Sequence, residues 1–212
     1  MINMALPTGR LSTLAYSLFI ECGLVGGELD DSSRKLVVED PEAGLRFLLV
    51  KPTDVAIYVE RGAADFGVVG SDTLLESEAD VYELLDLGIG RCRIAVAAER
   101  GWSDDLSIPL RVATKYPYLT QKYYNSKSRR IEIIKLNGSI ELAPLMGLSD
   151  VIVDIVETGK TLADNNLSIV TVIAHCSARL IANKSSYRFH SERIDEICGK
   201  LANAATQTRG DL

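Results

Sequence analysis

An α/β fold with mostly parallel sheets is predicted by three features of the sequence. Short Val- and Ile-rich runs, often apolar on both faces, read as strands buried within a sheet. Amphipathic stretches at helical spacing separate them. Short turns join the two, with no internal sequence repeat, low-complexity segment or long linker.

The elements follow in order from the N-terminus. Residues 2–6 form the first expected strand. Leu11, Leu14, Ala15, Leu18 and Phe19 then recur at the spacing of one helix face. A strand is expected over 45–50. Val55 and Val59, stopped by Gly62, predict a short helix. Apolar runs at 66–69, 94–97, 110–113 and 131–135 read as further strands, and 116–124 as a helix before the last of them. Residues 140–146 predict a helix, 151–155 and 169–174 strands, and 191–205 a closing amphipathic helix. The polar residues 206–212 are expected to fray. Gly101-Trp102-Ser103-Asp104-Asp105 is the clearest break in composition and reads as a loop.

Composition narrows the function classes. At 212 residues, 47% hydrophobic and 25% charged, the chain can bury a large core. No apolar run approaches the roughly 20 residues of a membrane span, and the N-terminus lacks the pattern of a secretory signal. A cytoplasmic protein with no membrane partner is expected. The net charge of −6 argues against nucleic acid as a partner, though a local cation cluster could hold a small anion. Cys22, Cys92, Cys176 and Cys198 are scattered, and His175 and His190 are the only histidines. No zinc site, disulfide framework or Ser-His-Asp triad is suggested.

The most informative stretch is Val151-Ile-Val-Asp154-Ile-Val-Glu157-Thr158-Gly159-Lys160-Thr161-Leu162. A buried strand, a tight turn and a helix start make a phosphate cradle at the carboxyl end of a strand. Gly159 lets backbone approach an anion, Thr158 and Thr161 add hydroxyls, and Lys160 adds charge. The sequence Gly159-Lys160-Thr161 ends like a nucleotide P-loop, but the glycine required five positions before the Gly-Lys pair is Asp154. An ordinary strand-to-helix turn does not ask for two acids and two threonines. Lys160 reads equally as a solvated surface charge. Asp154 and Glu157 need partners of their own beside a phosphate, and ribose hydroxyls or Mg²⁺ supply them.

The stretch from Asp154 to Leu162 resembles the phosphoribosyl pyrophosphate loop of phosphoribosyltransferases. Extended back through Leu136-Asn-Gly-Ser-Ile-Glu141-Leu-Ala-Pro-Leu-Met-Gly-Leu-Ser-Asp-Val-Ile-Val-Asp154, it resembles the ATP phosphoribosyltransferases of histidine biosynthesis. Ala5-Leu-Pro-Thr-Gly-Arg-Leu11, the block from Tyr58 to Asp72, Cys92-Arg93-Ile-Ala-Val-Ala, Arg111-Val-Ala-Thr-Lys-Tyr-Pro117 and Ala178 to Tyr187 follow in that family's order.

The resemblance implies two lobes of periplasmic-binding-protein type II-like architecture. Residues 1–93 plus 178–212 would form the ATP and pyrophosphate lobe, and 94–177 the phosphoribosyl pyrophosphate lobe. It implies transfer of phosphoribosyl to N1 of ATP with release of pyrophosphate, and Mg²⁺ carried with phosphoribosyl pyrophosphate. The length resembles the family's short form, which works with a regulatory subunit resembling histidyl-tRNA synthetase. A homodimer within a hetero-oligomer is expected.

The implied catalytic residues are Asp154, Arg34 and Lys51. The implied substrate-binding residues are Glu141, Asp154, Glu157, Thr158, Gly159, Lys160, Thr161, Gly9, Arg10 and Asp72; no protein metal site is implied. Asp72 reads also as the N-cap of a helix starting at Thr73, and Glu141 as a solvated helix carboxylate. The chain has Thr8 where the family commonly has Lys, and Lys51 where it commonly has Arg. Two other readings are a non-catalytic two-lobe binder of small anions and a purine or pyrimidine phosphoribosyltransferase of the commoner fold. The latter leaves the remaining blocks unexplained.

Overall fold

A computed structural model describes residues 1–27 and 35–210, with side chains described as far as residue 204. The chain divides into two compact units: Met1–Gly90 with Ser177–Leu212, and Arg91–Cys176.

The first unit opens with β1 (Ile2–Pro7), α1 (Arg10–Glu21), β2 (Val37–Asp40) and β3 (Leu45–Val50). A single 3₁₀ turn leads into α2 (Val55–Glu60), followed by β4 (Phe66–Gly70), α3 (Ser71–Ser77) and β5 (Tyr82–Asp86). The second unit contains β6 (Cys92–Glu99), β7 (Leu110–Thr114), α4 (Pro117–Ser126), β8 (Ile131–Lys135), α5 (Leu142–Leu145), β9 (Val151–Val156), α6 (Lys160–Asp164) and β10 (Leu167–Cys176). The chain then returns to the first unit as β11 (Ala178–Ala182) and α7 (Lys184–Gly210), which kinks at His190. The closing helix is therefore longer than predicted and runs over residues 206–210, expected to fray; 211 and 212 lie outside the described residues.

The first unit carries a sheet of order β2-β3-β1-β4-β11-β5, the second one of order β10-β6-β9-β7-β8. Parallel pairing is confined to β3-β1-β4 and β9-β7-β8. The remaining pairs, β2/β3, β4/β11, β11/β5, β10/β6 and β6/β9, are antiparallel. The expectation of mostly parallel sheets thus holds for three strands of each sheet, inside the first and at the β8 end of the second, and fails for the rest. Apart from the β2/β3 hairpin, the cause is topological. Where the chain passes from one unit to the other it enters the new sheet running against the strand beside it, as β6 against β9 and as β11 against β4. Periodicity carries no information about that direction.

The two units share one connectivity although the sequence shows no repeat. Each has a central strand flanked by two parallel partners, β3-β1-β4 or β8-β7-β9, then a strand from the crossing, β11 or β6, then an edge strand, β5 or β10.

Packing follows the predicted faces. Ala15, Leu18 and Phe19 of α1 are buried with Met4, Leu6, Phe47, Phe66 and Val68 of the first sheet. Ile197 and Leu201 of α7 join them. On the other face α2 sits so close that a Cβ on Gly67 would lie 2.9 Å from the Ala5 carbonyl oxygen and 3.0 Å from Val59. Only glycine permits that approach. In the second unit alternate residues of β6 serve two cores, Ile94, Val96 and Ala98 on one face and Ala95 and Ala97 on the other. No described helix is long and apolar enough to cross a membrane.

Candidate active site

A cavity of about 280 Å³ lies in the second unit, lined by Ala95, Ala97, Glu141, Ile152, Asp154, Ile155, Val156, Glu157, Thr158, Gly159, Thr161 and Leu162. Its floor is one face of the β6/β9 pair. In register, Ala97 stands opposite Ile152 and Ala95 opposite Asp154. The small alanines leave room above the sheet, and alternation along β9 aims Asp154 into it.

Asp154 is half-buried, and its Oδ1 accepts the backbone N–H of Ile155 at 2.8 Å. That bond fixes the carboxylate over the end of its own strand. The chain then turns through Glu157 and Thr158 to Gly159, which is left-handed at φ 81° and caps α6. Thr158 Oγ1 accepts the Lys160 N–H at 3.3 Å, which shapes the turn locally. As α6 has only five residues, its dipole is small. The useful groups are the first-turn N–H donors, which have no intrahelical acceptor.

The structure brings together Glu141, Asp154, Glu157, Thr158, Gly159 and Thr161 around one cavity. Lys160 is exposed and is not among the lining residues. Glu141 arrives from another part of the chain, as the residue before α5. It is half-buried, unlike the solvated helix carboxylate that was its other reading.

One residue of this face was not singled out from sequence. Arg93 stands opposite Val156, in phase with Ala95 and Ala97, and its Nε is buried without a hydrogen-bond partner among the described residues. The signal was present in Cys92-Arg93-Ile-Ala-Val-Ala: a single charge in an apolar strand, at even spacing from two alanines.

The remaining predicted residues lie on the first unit. Gly9 and Arg10 form the turn from β1 into α1, and Lys51 follows β3. Pro7 and Val50 are paired, and the Thr8 N–H donates to the Val50 carbonyl at 2.7 Å, so these turns adjoin. Asp72 follows β4, the other neighbour of β1. All four residues therefore occupy the carboxyl edge of β3-β1-β4. Asp72 is not an N-cap: α3 begins at Ser71, with Gly70 as the capping residue. Its carboxylate folds back over Gly70, where a Cβ would lie 2.1 Å from Oδ1. Arg34 lies outside the described residues.

A family model of ATP phosphoribosyltransferase, HisG, matches residues 51–203. The chain belongs to the ATP phosphoribosyltransferase family. Members of that family from Brachyspira hyodysenteriae and Caldanaerobacter subterraneus are 55% and 50% identical to it. The matches cover 93% and 94% of this chain and 96% and 95% of those relatives. Among solved structures, the ATP phosphoribosyl transferase (HisG:HisZ) complex from Thermotoga maritima contains a chain matched at TM-score 0.85 and 34% identity, with 98% of this chain and all of that one covered. The periplasmic aliphatic sulphonate binding protein SsuA from Escherichia coli matches at TM-score 0.62 and 11% identity, over 99% of this chain and 74% of that one. That likeness concerns the fold alone and bears out the periplasmic-binding-protein type of architecture. Membership of an ATP phosphoribosyltransferase family disfavours the non-catalytic binder.

Proposed function

We propose that the second-unit cavity holds the phosphoribosyl end of phosphoribosyl pyrophosphate for attack by ATP. The activity itself follows from family membership. Phosphoribosyl passes to N1 of ATP, giving N1-(5-phosphoribosyl)-ATP and pyrophosphate, the first step of histidine biosynthesis. The observation that carries the site assignment is one cavity lined by both Asp154 and the Thr158-Gly159 turn. A phosphate cradle with carboxylates beside it matches a ligand that is phosphate at one end and polyhydroxyl at the other.

In this reading the 5′-phosphate rests on the N–H groups and hydroxyls of residues 158–161, and Asp154 and Glu157 accept hydrogen bonds from the ribose hydroxyls. Glu141 borders the same space, and Arg93 supplies a cation at its edge. The bond from ribose C1 to the pyrophosphate oxygen breaks as the lone pair of adenine N1 bonds to C1. The transition state places positive charge on the ribose ring and negative charge on the leaving group. Carboxylates fixed beside the ring favour the former. Arg10, Lys51 and Arg34, with the Gly9 turn and Asp72, are proposed to hold the phosphates of pyrophosphate and ATP. No general base is required, because N1 already carries its lone pair.

Mg²⁺ fits this donor set, since hard carboxylate oxygens line the cavity and the ion commonly takes one or two of them along with substrate phosphates. Bound with pyrophosphate, it would neutralise charge on the leaving group. The HisG:HisZ pairing in the Thermotoga maritima complex supports a partner subunit of that kind for this chain; that the subunit resembles histidyl-tRNA synthetase, that the chain is a homodimer within the hetero-oligomer, and that it works in the cytoplasm are proposed from the family resemblance.

The test is Asp154→Asn, assayed by phosphoribosyl-ATP absorbance with the regulatory subunit present. Loss of a charge-assisted hydrogen bond should lower turnover about 10- to 100-fold, with the melting temperature unchanged. Equal turnover in the variant would remove the ribose assignment.

A further inference from the structure

We propose that Cys92 and Cys176 are a dithiol site that closes reversibly to a disulfide. They are the first residue of β6 and the last of β10, and they stand directly opposite one another in antiparallel register. Opposed residues in such a pair hold their Cα atoms about 4.5–5.5 Å apart, inside the roughly 4.4–6.8 Å that a disulfide spans. Cys176 belongs to the apolar cluster on one face of the second sheet and Cys92 packs against the same cluster. The two thiols therefore share a face. Cys176 is buried, whereas Cys92 is partly exposed and gives an oxidant its entry.

The other two cysteines lie apart from this pair. Cys22 and Cys198 pack against the separate core of the first unit. Burial raises the pKa of both, that of Cys198 to about 11.

The oxidant is a low-molecular-weight disulfide such as oxidised glutathione. Cys92 loses its proton and attacks one sulfur, and the S–S bond breaks to release a glutathione thiolate that takes up a proton. Cys176, deprotonated in turn, attacks the Cys92 sulfur of the mixed disulfide and expels the second glutathione thiolate. Two protein thiols are oxidised to one disulfide as one glutathione disulfide is reduced to two thiols. The bond would join the second unit across its own ends, since the chain enters at Arg91 and leaves after Cys176.

The full chain, incubated with oxidised glutathione and mapped by non-reducing peptide mass spectrometry, should give a peptide pair joined through Cys92 and Cys176. The pair should weigh two hydrogens less than its parts, and dithiothreitol should reverse it. In Cys176→Ser the reaction should stop at a glutathione adduct on Cys92, and in Cys92→Ser the joined pair should be lost. A wild-type map in which both residues stay thiols, carry only glutathione adducts, or pair with Cys22 or Cys198 overturns the proposal.

Discussion

Gly159 and Lys160 are adjacent in the phosphate turn, yet they differ in what they offer it. Gly159 holds φ 81°, a conformation that costs a β-branched residue about 1–3 kcal/mol. Its Cβ would meet Val156 Cγ1 at 3.8 Å, so the cost is conformational and not a clash. Lys160 is exposed. Gly159→Val should therefore raise KM for phosphoribosyl pyrophosphate about tenfold or more through misplaced backbone donors, and Lys160→Ala should raise it less. Steady-state kinetics of both variants, each shown folded by circular dichroism, checks the order. At this scale the sequence was informative where chemistry and spacing agreed. Asp154, Glu157 and the threonines stand out because an ordinary turn has no use for them all. Arg93 was less legible, because its meaning depends on facing Val156 across a strand pair that is distant in sequence.

The elements that carry the site are held by polar ties beneath it. Buried Thr114, at the end of β7, donates to the Val153 carbonyl of β9 at 2.7 Å and accepts the Tyr116 N–H at 2.9 Å. Thr114→Val keeps the shape and strands that N–H, at a cost of about 1–3 kcal/mol in urea unfolding. Arg111, on the same strand, donates to Asp150 from both Nε and Nη2, and to the Gly147 carbonyl from Nη1, which fixes the segment leading into β9. The Arg111 guanidinium holds the Asp150 carboxyl below the usual aspartate range. A carboxylate with a depressed folded pKa stabilises the fold above its unfolded value and loses that contribution as pH falls through the folded value. Asp150→Asn should accordingly lower the melting temperature by a few degrees at neutral pH. The gap from wild type should narrow once pH drops below about 3.9, as differential scanning calorimetry would record. The strands β1, β3, β4 and β6 to β10 were legible as apolar runs, although the bounds of several shifted by a few residues. The strands β2, β5 and β11 were not. The first two are short, part-exposed and acidic at the sheet edge. Five-residue β11 carries Arg179 and was visible only as part of a family block.

For the molecule as a whole, connectivity is the governing fact. The second unit is one contiguous stretch, Arg91–Cys176, while the first needs Met1–Gly90 and the segment from Ser177 together. The α/β alternation was readable because each βα step is local. The shared strand order was not, because it depends on pairings such as β4 with β11, whose partners are separated by the entire second unit. Local closure costs less chain entropy than distant closure. Pulse-labelled hydrogen exchange during refolding should therefore show amides of β7 and β9 protected before those of β4 and β5; simultaneous protection would indicate a single cooperative step. On the ribosome the same connectivity imposes a waiting period. Until residues 178–182 emerge, β4 lacks the neighbour that covers one side of Phe66–Gly70, and β5 has no strand to pair with. A nascent chain at that stage exposes two unfinished edges to every other chain nearby. Glu83 and Asp86 of β5, which pair with Arg179 once β11 is in place, leave that edge carrying negative charge until then, and charge on an edge strand disfavours pairing with another chain.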